Sequence, residues 1–255
     1  MKVYKNLPVA LLLTTVVFNA CTSNDKSKET EIKGPKFKEE NITYSGDSIT
    51  MNGYVVYDEN KDGARPGILV VHEWWGLNDY SKMRARELAK LGYVAMSLDM
   101  YGNGKQAESP DSAGKLSGPF YSDPQMAKRR FDAALIKLKT YNQVDGSKIA
   151  AIGYCFGGAQ VINMAKLGDD LKGVVSFHGN LNVVTANKDL LKAEILVCHG
   201  AADPFVPQAE VDKFKKQMDS IGAKYIFKAY DGATHAFTNP NATAMGEKFK
   251  IPIKY

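Results

Sequence analysis

Gly153-Tyr154-Cys155-Phe156-Gly157-Gly158 lies between an apolar strand signal and an apolar helix signal, with a cysteine at its apex. A tight strand-to-helix turn needs small residues two before and two after a nucleophile, because larger side chains would collide across it. Such a turn lifts the Cys155 sulfur above a sheet and sets it at a helix N-terminus, whose partial positive charge favours an anion. The backbone N–H of Phe156 is then free to stabilise an oxyanion. Taken alone, the pattern equally describes a Gly-rich turn around an inert, buried cysteine.

Two further segments decide between these readings. His199-Gly200-Ala201-Ala202-Asp203 follows the next-to-last strand signal, and the stretch from Asp231 to Phe237, containing His235, follows the last. Nucleophile, acid, histidine is the chain order of α/β-hydrolases. Asp203 in a loop can orient an imidazole, and His235 in the next loop can take a proton from sulfur. The expected chemistry is cleavage of an ester or lactone through a thioester acyl-enzyme, with no cofactor and no metal. His72 and His199 end strands and read as packed residues; His178 is left undecided.

From Ile42 onward strand and helix signals alternate, which predicts an α/β fold with a mostly parallel central sheet and helices on both faces. Strands are expected at Ile49 to Tyr57, Gly67 to His72, Tyr93 to Leu98, Lys148 to Ile152, Gly173 to Phe177, Ile195 to Cys198 and Lys224 to Ala229. Helices are expected after Asn78 or Asp79, after Asp123-Pro124, from Phe156 to Leu167, and around Val211, Phe214, Met218 and Ile221. Residues Tyr101 to Ser122, rich in Gly, Ser and Pro, read as a long loop bordering the pocket. No strong helix is expected after His235.

The same residues resemble the dienelactone hydrolase family across Ile42 to Asn239. The resemblance rests on HEWWGLN (His72 to Asn78), GYCFGG, HGAAD and THAFTNP (Thr234 to Pro240). It implies that Glu73 contacts the resting thiol and accepts its proton when substrate arrives, and that Trp74 supplies a second oxyanion N–H beside Phe156. A carboxylate beside a thiol keeps it protonated and limits its oxidation. Dienelactone-specific members hold the substrate carboxylate with two arginines, where this chain has Asn103 and Asn239, so such a substrate is not expected. Trp75, Tyr101, Asn103, Phe237 and Asn239 are the pocket candidates. Trp74, Trp75 and Tyr101 as stacking groups would suit a carbohydrate- or aryl-ester esterase with the same triad, and a non-catalytic tethered binding protein is the alternative of another class.

The 255 residues, 44% hydrophobic and 24% charged, suffice for one sizeable core. The net charge of +5 falls to +3 without the first twenty residues, which carry Lys2 and Lys5 and no acid. That weak excess predicts no nucleic-acid partner. Lys2 and Lys5, the apolar run Leu7 to Phe18 and Asn19-Ala20-Cys21 match an export signal over residues 1–20, and an apolar run of about a dozen residues is too short to span a bilayer comfortably. A small residue before Cys21 resembles the lipobox of bacterial lipoproteins, with Phe18 as a departure; a plain secretory signal is the alternative. Residues 21–40 read as a solvated tether after a lipidated Cys21, with the hydrolase domain over 41–255. The expected location is therefore outside the cytoplasm, membrane-bound only through lipid. The remaining cysteines, Cys155 and Cys198, are expected on strands that are not neighbours, hence free.

Overall fold

The computed structural model describes residues 34–255. The expected export signal, Cys21 and most of the expected tether lie outside the described residues. Residues 37–40, expected to be tether, are already strand: Phe37–Gly46 forms β1, paired antiparallel with β2, Ile49–Asp58. Its sequence is largely polar because only an occasional side chain turns inward, so no apolar run announces it.

Then follow β3 (Arg65–Val71), α1 (Asp79–Lys90), β4 (Val94–Leu98), α2 (Pro110–Ser122), α3 (Pro124–Lys139), β5 (Val144–Tyr154), α4 (Phe156–Lys166), β6 (Gly173–Phe177), β7 (Glu194–Gly200), α5 (Gln208–Ser220), β8 (Tyr225–Tyr230) and α6 (Ala242–Phe249). The sheet order is β1-β2-β4-β3-β5-β6-β7-β8, antiparallel at β1, β2 and β4 and parallel from β4 onward. Strand side chains alternate between two cores. Leu69, Val71, Met96 and Leu98 pack with Phe131 of α3 and Ile162 of α4, while Ile68, Val70 and Ala95 pack with Tyr80, Ala85 and Ala89 of α1. A sheet covered on both faces explains why the central strands read as continuous apolar runs.

Two helices overturn expectations. The long loop expected from Tyr101 to Ser122 is helical from Pro110, capped by Ser109, whose hydroxyl and that of Ser112 bond each other's backbone N–H reciprocally. Gly114, Gly118 and Pro119 lower its intrinsic propensity, and burial of Ala113, Ser117 and Phe120 offsets that cost. The second is α6, after His235. It is short, contains Gly246 and lacks a side-chain cap, and it forms because Gly246 lets the carbonyls of Ile251 and Ile253 approach closely. By contrast α1 and α3 start where capping chemistry placed them, with Asn78 and Asp123 accepting first-turn N–H groups.

Candidate active site

β5 ends at Tyr154 and α4 begins at Phe156, leaving Cys155 alone at the bend with φ 53° and ψ −114°. A side chain rarely adopts this conformation, and holding it costs about 1–3 kcal/mol, which the surroundings must supply. They do so through the Cys155 N–H, which donates to the Phe177 carbonyl (2.9 Å) and to His178 Nδ1 (3.1 Å). The flanking glycines are obligatory: a Cβ on Gly153 would overlap the carbonyl of Gly157, and one on Gly157 would overlap that of Val71. Phe156 opens the helix, so its N–H is among those without an intrahelical partner.

Asp203 sits just beyond β7, buried, with one carboxylate oxygen accepting the Phe205 N–H (2.8 Å) and the other accepting from His235 Nδ1 (2.8 Å). His235 lies beyond β8 and opens on the same cavity as Cys155. Burial disfavours its charged form, yet the neighbouring Cys155 sulfur and the Asp203 carboxylate outweigh this and hold the imidazole up at about 10. The structure thus brings Cys155, His235 and Asp203 together.

Glu73, just past β3, is buried on this cavity and accepts a hydrogen bond from Asn239 Nδ2 at 2.7 Å. Burial pushes its carboxyl up to about 7 against the opposing pull of Asn239, His235 and Arg84. Trp74 follows it, and its carbonyl accepts the Tyr101 hydroxyl (2.8 Å). Tyr101 is buried, with its ring against those of His72 (4.8 Å) and Phe156 (5.4 Å). Rather than facing substrate, Tyr101 braces both segments expected to supply oxyanion donors. His72 is fully buried; its Nε2 accepts the Met100 N–H, which leaves Nδ1 to donate to the Glu73 carbonyl. His199 is buried beside Phe227, as a packed residue should be.

The cavity encloses about 270 Å³ and is lined chiefly by Trp74, Trp75, Tyr121, Phe205, Ile251 and Ile253 around Cys155, Glu73, His235 and Asn239. Of the pocket candidates, Trp75 and Asn239 belong to it. Asn103 does not: it is an exposed turn residue with φ 55° whose N–H donates to the Thr50 carbonyl. Phe237 packs behind the histidine loop against Tyr230 and His178. The wall built by Ile251 and Ile253 was not foreseen, because it depends on α6 folding back so that Ile253 forms a parallel bridge with His235. Tyr121 was missed with α2, the helix that carries it.

A mostly parallel sheet whose central strand runs into a strained cysteine turn, with an acid and a histidine on the loops after β7 and β8, is the architecture of an α/β-hydrolase. The chain belongs to the dienelactone hydrolase family, whose sequence profile matches residues 51–251, and is a hydrolase of esters or lactones. It is similar to Protein usf of Aquifex pyrophilus, 30% identical over 203 residues that cover 78% of this chain and 86% of that one. Among solved structures, a dienelactone hydrolase-like promiscuous phosphotriesterase from metagenomic libraries is 35% identical, with a TM-score of 0.79 over 86% of this chain and 90% of that one. A structure named m3DLH is 32% identical, with a TM-score of 0.78 over 82% and 88%.

Proposed function

We propose that the chain cleaves an uncharged ester or lactone, with Cys155 as nucleophile, His235 as proton carrier and Asp203 as its orienting carboxylate. The observation that carries this reading is the strained Cys155 turn opening on the same cavity as an imidazole already paired to a buried carboxylate. The thiol proton passes to His235, directly or by way of Glu73, and sulfur bonds to the carbonyl carbon. The Phe156 and Trp74 N–H groups hold the resulting oxyanion. Its collapse expels the alcohol, which leaves with a proton from the imidazolium. Water then gives a proton to His235 and attacks the thioester, releasing the acid and restoring the cysteine. Thiolate is itself a good leaving group, so activated esters and lactones suit it better than amides.

The cavity composition supports an uncharged substrate. Among the described residues that line it there is no lysine or arginine, Asn239 is committed to Glu73, and the His235 imidazole is already paired with Asp203, so a dienelactone carboxylate would find no unpaired cation there. The aromatic lining favours an aryl or apolar alkyl ester over a carbohydrate ester. Because one similar structure is named for phosphotriesterase activity, a neutral aryl phosphotriester belongs in the same test. In that panel of neutral and anionic esters, lactones and phosphotriesters, neutral carboxylic esters should turn over fastest and Cys155→Ala should abolish turnover. Full activity in that variant overturns the triad, and a strong preference for anionic lactones overturns the substrate class. We also infer export and lipid attachment at Cys21, which incorporation of a fatty-acid analogue and its loss in Cys21→Ser would test.

A further inference from the structure

His178 is fully buried just past β6, in the left-handed region with φ 43°. Its Nδ1 receives the Cys155 N–H, so Nδ1 carries no proton, and Nε2 must donate to Thr238 Oγ1 (2.8 Å). Thr238 lies three residues beyond His235. Its hydroxyl also bonds the Tyr80 hydroxyl of α1 (2.7 Å), and Arg84 of the same helix reaches both that hydroxyl and the Thr238 carbonyl. The His178 ring stands edge-on to His235, centroids 5.1 Å apart. One imidazole therefore touches the nucleophile turn with one nitrogen and the histidine loop with the other.

We propose that His178 is a positioning residue, a permanently neutral strut that fixes the separation of the Cys155 turn from the His235 loop. The proposal rests on the triad reading above. Both segments it joins are strained, Cys155 at φ 53° and Ala236 at φ 60°, so neither holds its place by backbone preference. Neutrality is required on two counts. A proton on Nδ1 would face the Cys155 N–H donor, and a second positive charge would stand beside the His235 imidazolium that forms when the thiol is deprotonated. The charged neighbours oppose protonation too: His235 on its loop, and Arg84 on α1, itself paired with Glu87. Burial together with the positive His235 holds His178 well below the ordinary histidine range.

Three variants separate positioning from mere packing. His178→Leu removes both bonds. His178→Asn keeps an acceptor near Nδ1 and a residue tolerant of positive φ. Thr238→Val removes only the far anchor. Each is read by kcat and KM on the best neutral ester, and by the pH dependence of Cys155 alkylation with iodoacetamide, followed on the Cys155 peptide by mass spectrometry. The expected losses in kcat are roughly a hundredfold for His178→Leu and about tenfold for Thr238→Val and His178→Asn, with KM little changed. In Thr238→Val the pH of half-maximal alkylation should rise by about one unit, equivalent to a tenfold weaker thiolate–imidazolium pair. Should His178→Leu fail to fold, Thr238→Val carries the test. An unchanged alkylation profile in Thr238→Val overturns the proposal, as does a kcat that falls only with the folded fraction. Alkylation needs no substrate, so failure of the strut is distinguishable from failure of the triad, which Cys155→Ala reports.

Discussion

Replacing Glu73 by Gln should make the protein more stable in alkaline solution and less active, and the size of the first effect follows from the site. Glu73 is buried, and its carboxyl is raised from an ordinary 4.5 to about 7. A raised carboxyl favours the folded state only while protonated. That contribution is complete below the unfolded value and disappears as pH climbs through 7, beyond which a buried negative charge is a fixed cost. At 1.36 kcal/mol for each tenfold change in proton affinity, the cost levels off at about 3 kcal/mol. Gln removes the charge while its amide oxygen can still accept from Asn239. For a domain of this size the gain corresponds to roughly 6–12 °C in Tm at pH 8.5, shrinking to under about 1 kcal/mol at pH 5. Thermal or urea unfolding of the two proteins at both pH values measures it. A Glu73→Gln protein no more stable than the parent at pH 8.5, or equally stabilised at both, would refute the reasoning. Stability bought this way should cost turnover, since Gln cannot accept the thiol proton.

Asp203→Asn should fold normally, because the Asn oxygen can still accept the Phe205 N–H, yet kcat should fall by about 10²–10⁴. The amide turned toward His235 favours the tautomer with its proton on Nε2, facing sulfur, and a kcat within threefold of the parent would contradict that. Loss of the carboxylate should also lower the His235 pKa from about 10, visible by NMR titration. Gly118→Ala in α2, where an added Cβ meets open space, should raise stability by about 0.5–1 kcal/mol in urea melts; destabilisation would show that this segment is not held as helix.

The nucleophile turn, the chain order of its partners and the central strands were legible because each is imposed locally, by glycine sterics or by two-sided burial. Glu73 and Trp74 came through family resemblance alone, and nothing in the spacing of HEWWGLN would have singled them out. What stayed hidden was decided by distant contacts. Helix α2 reads as a loop because Gly114 and Gly118 leave space there instead of filling it, and Gly114 borders the cavity. Strand β1 is polar because β2, rather than a core, defines it. Asn103 is a pocket candidate by alignment with one of the family's two arginines, but alignment fixes position in sequence and not direction of side chain. His178 could have been weighed only with Thr238 beside it, and their proximity is a product of the fold.

Ile253 is both cavity wall and main-chain neighbour of His235, whose carbonyl also accepts the Lys254 N–H. A guest too bulky for the cavity must push against the same short ribbon of backbone that steadies the imidazole. Oversized esters should therefore be admitted and then processed slowly, so that discrimination by size is registered in turnover more than in affinity. Selection for a new substrate would find its adjustable parts in the last dozen residues, at the risk of detuning proton transfer with every change.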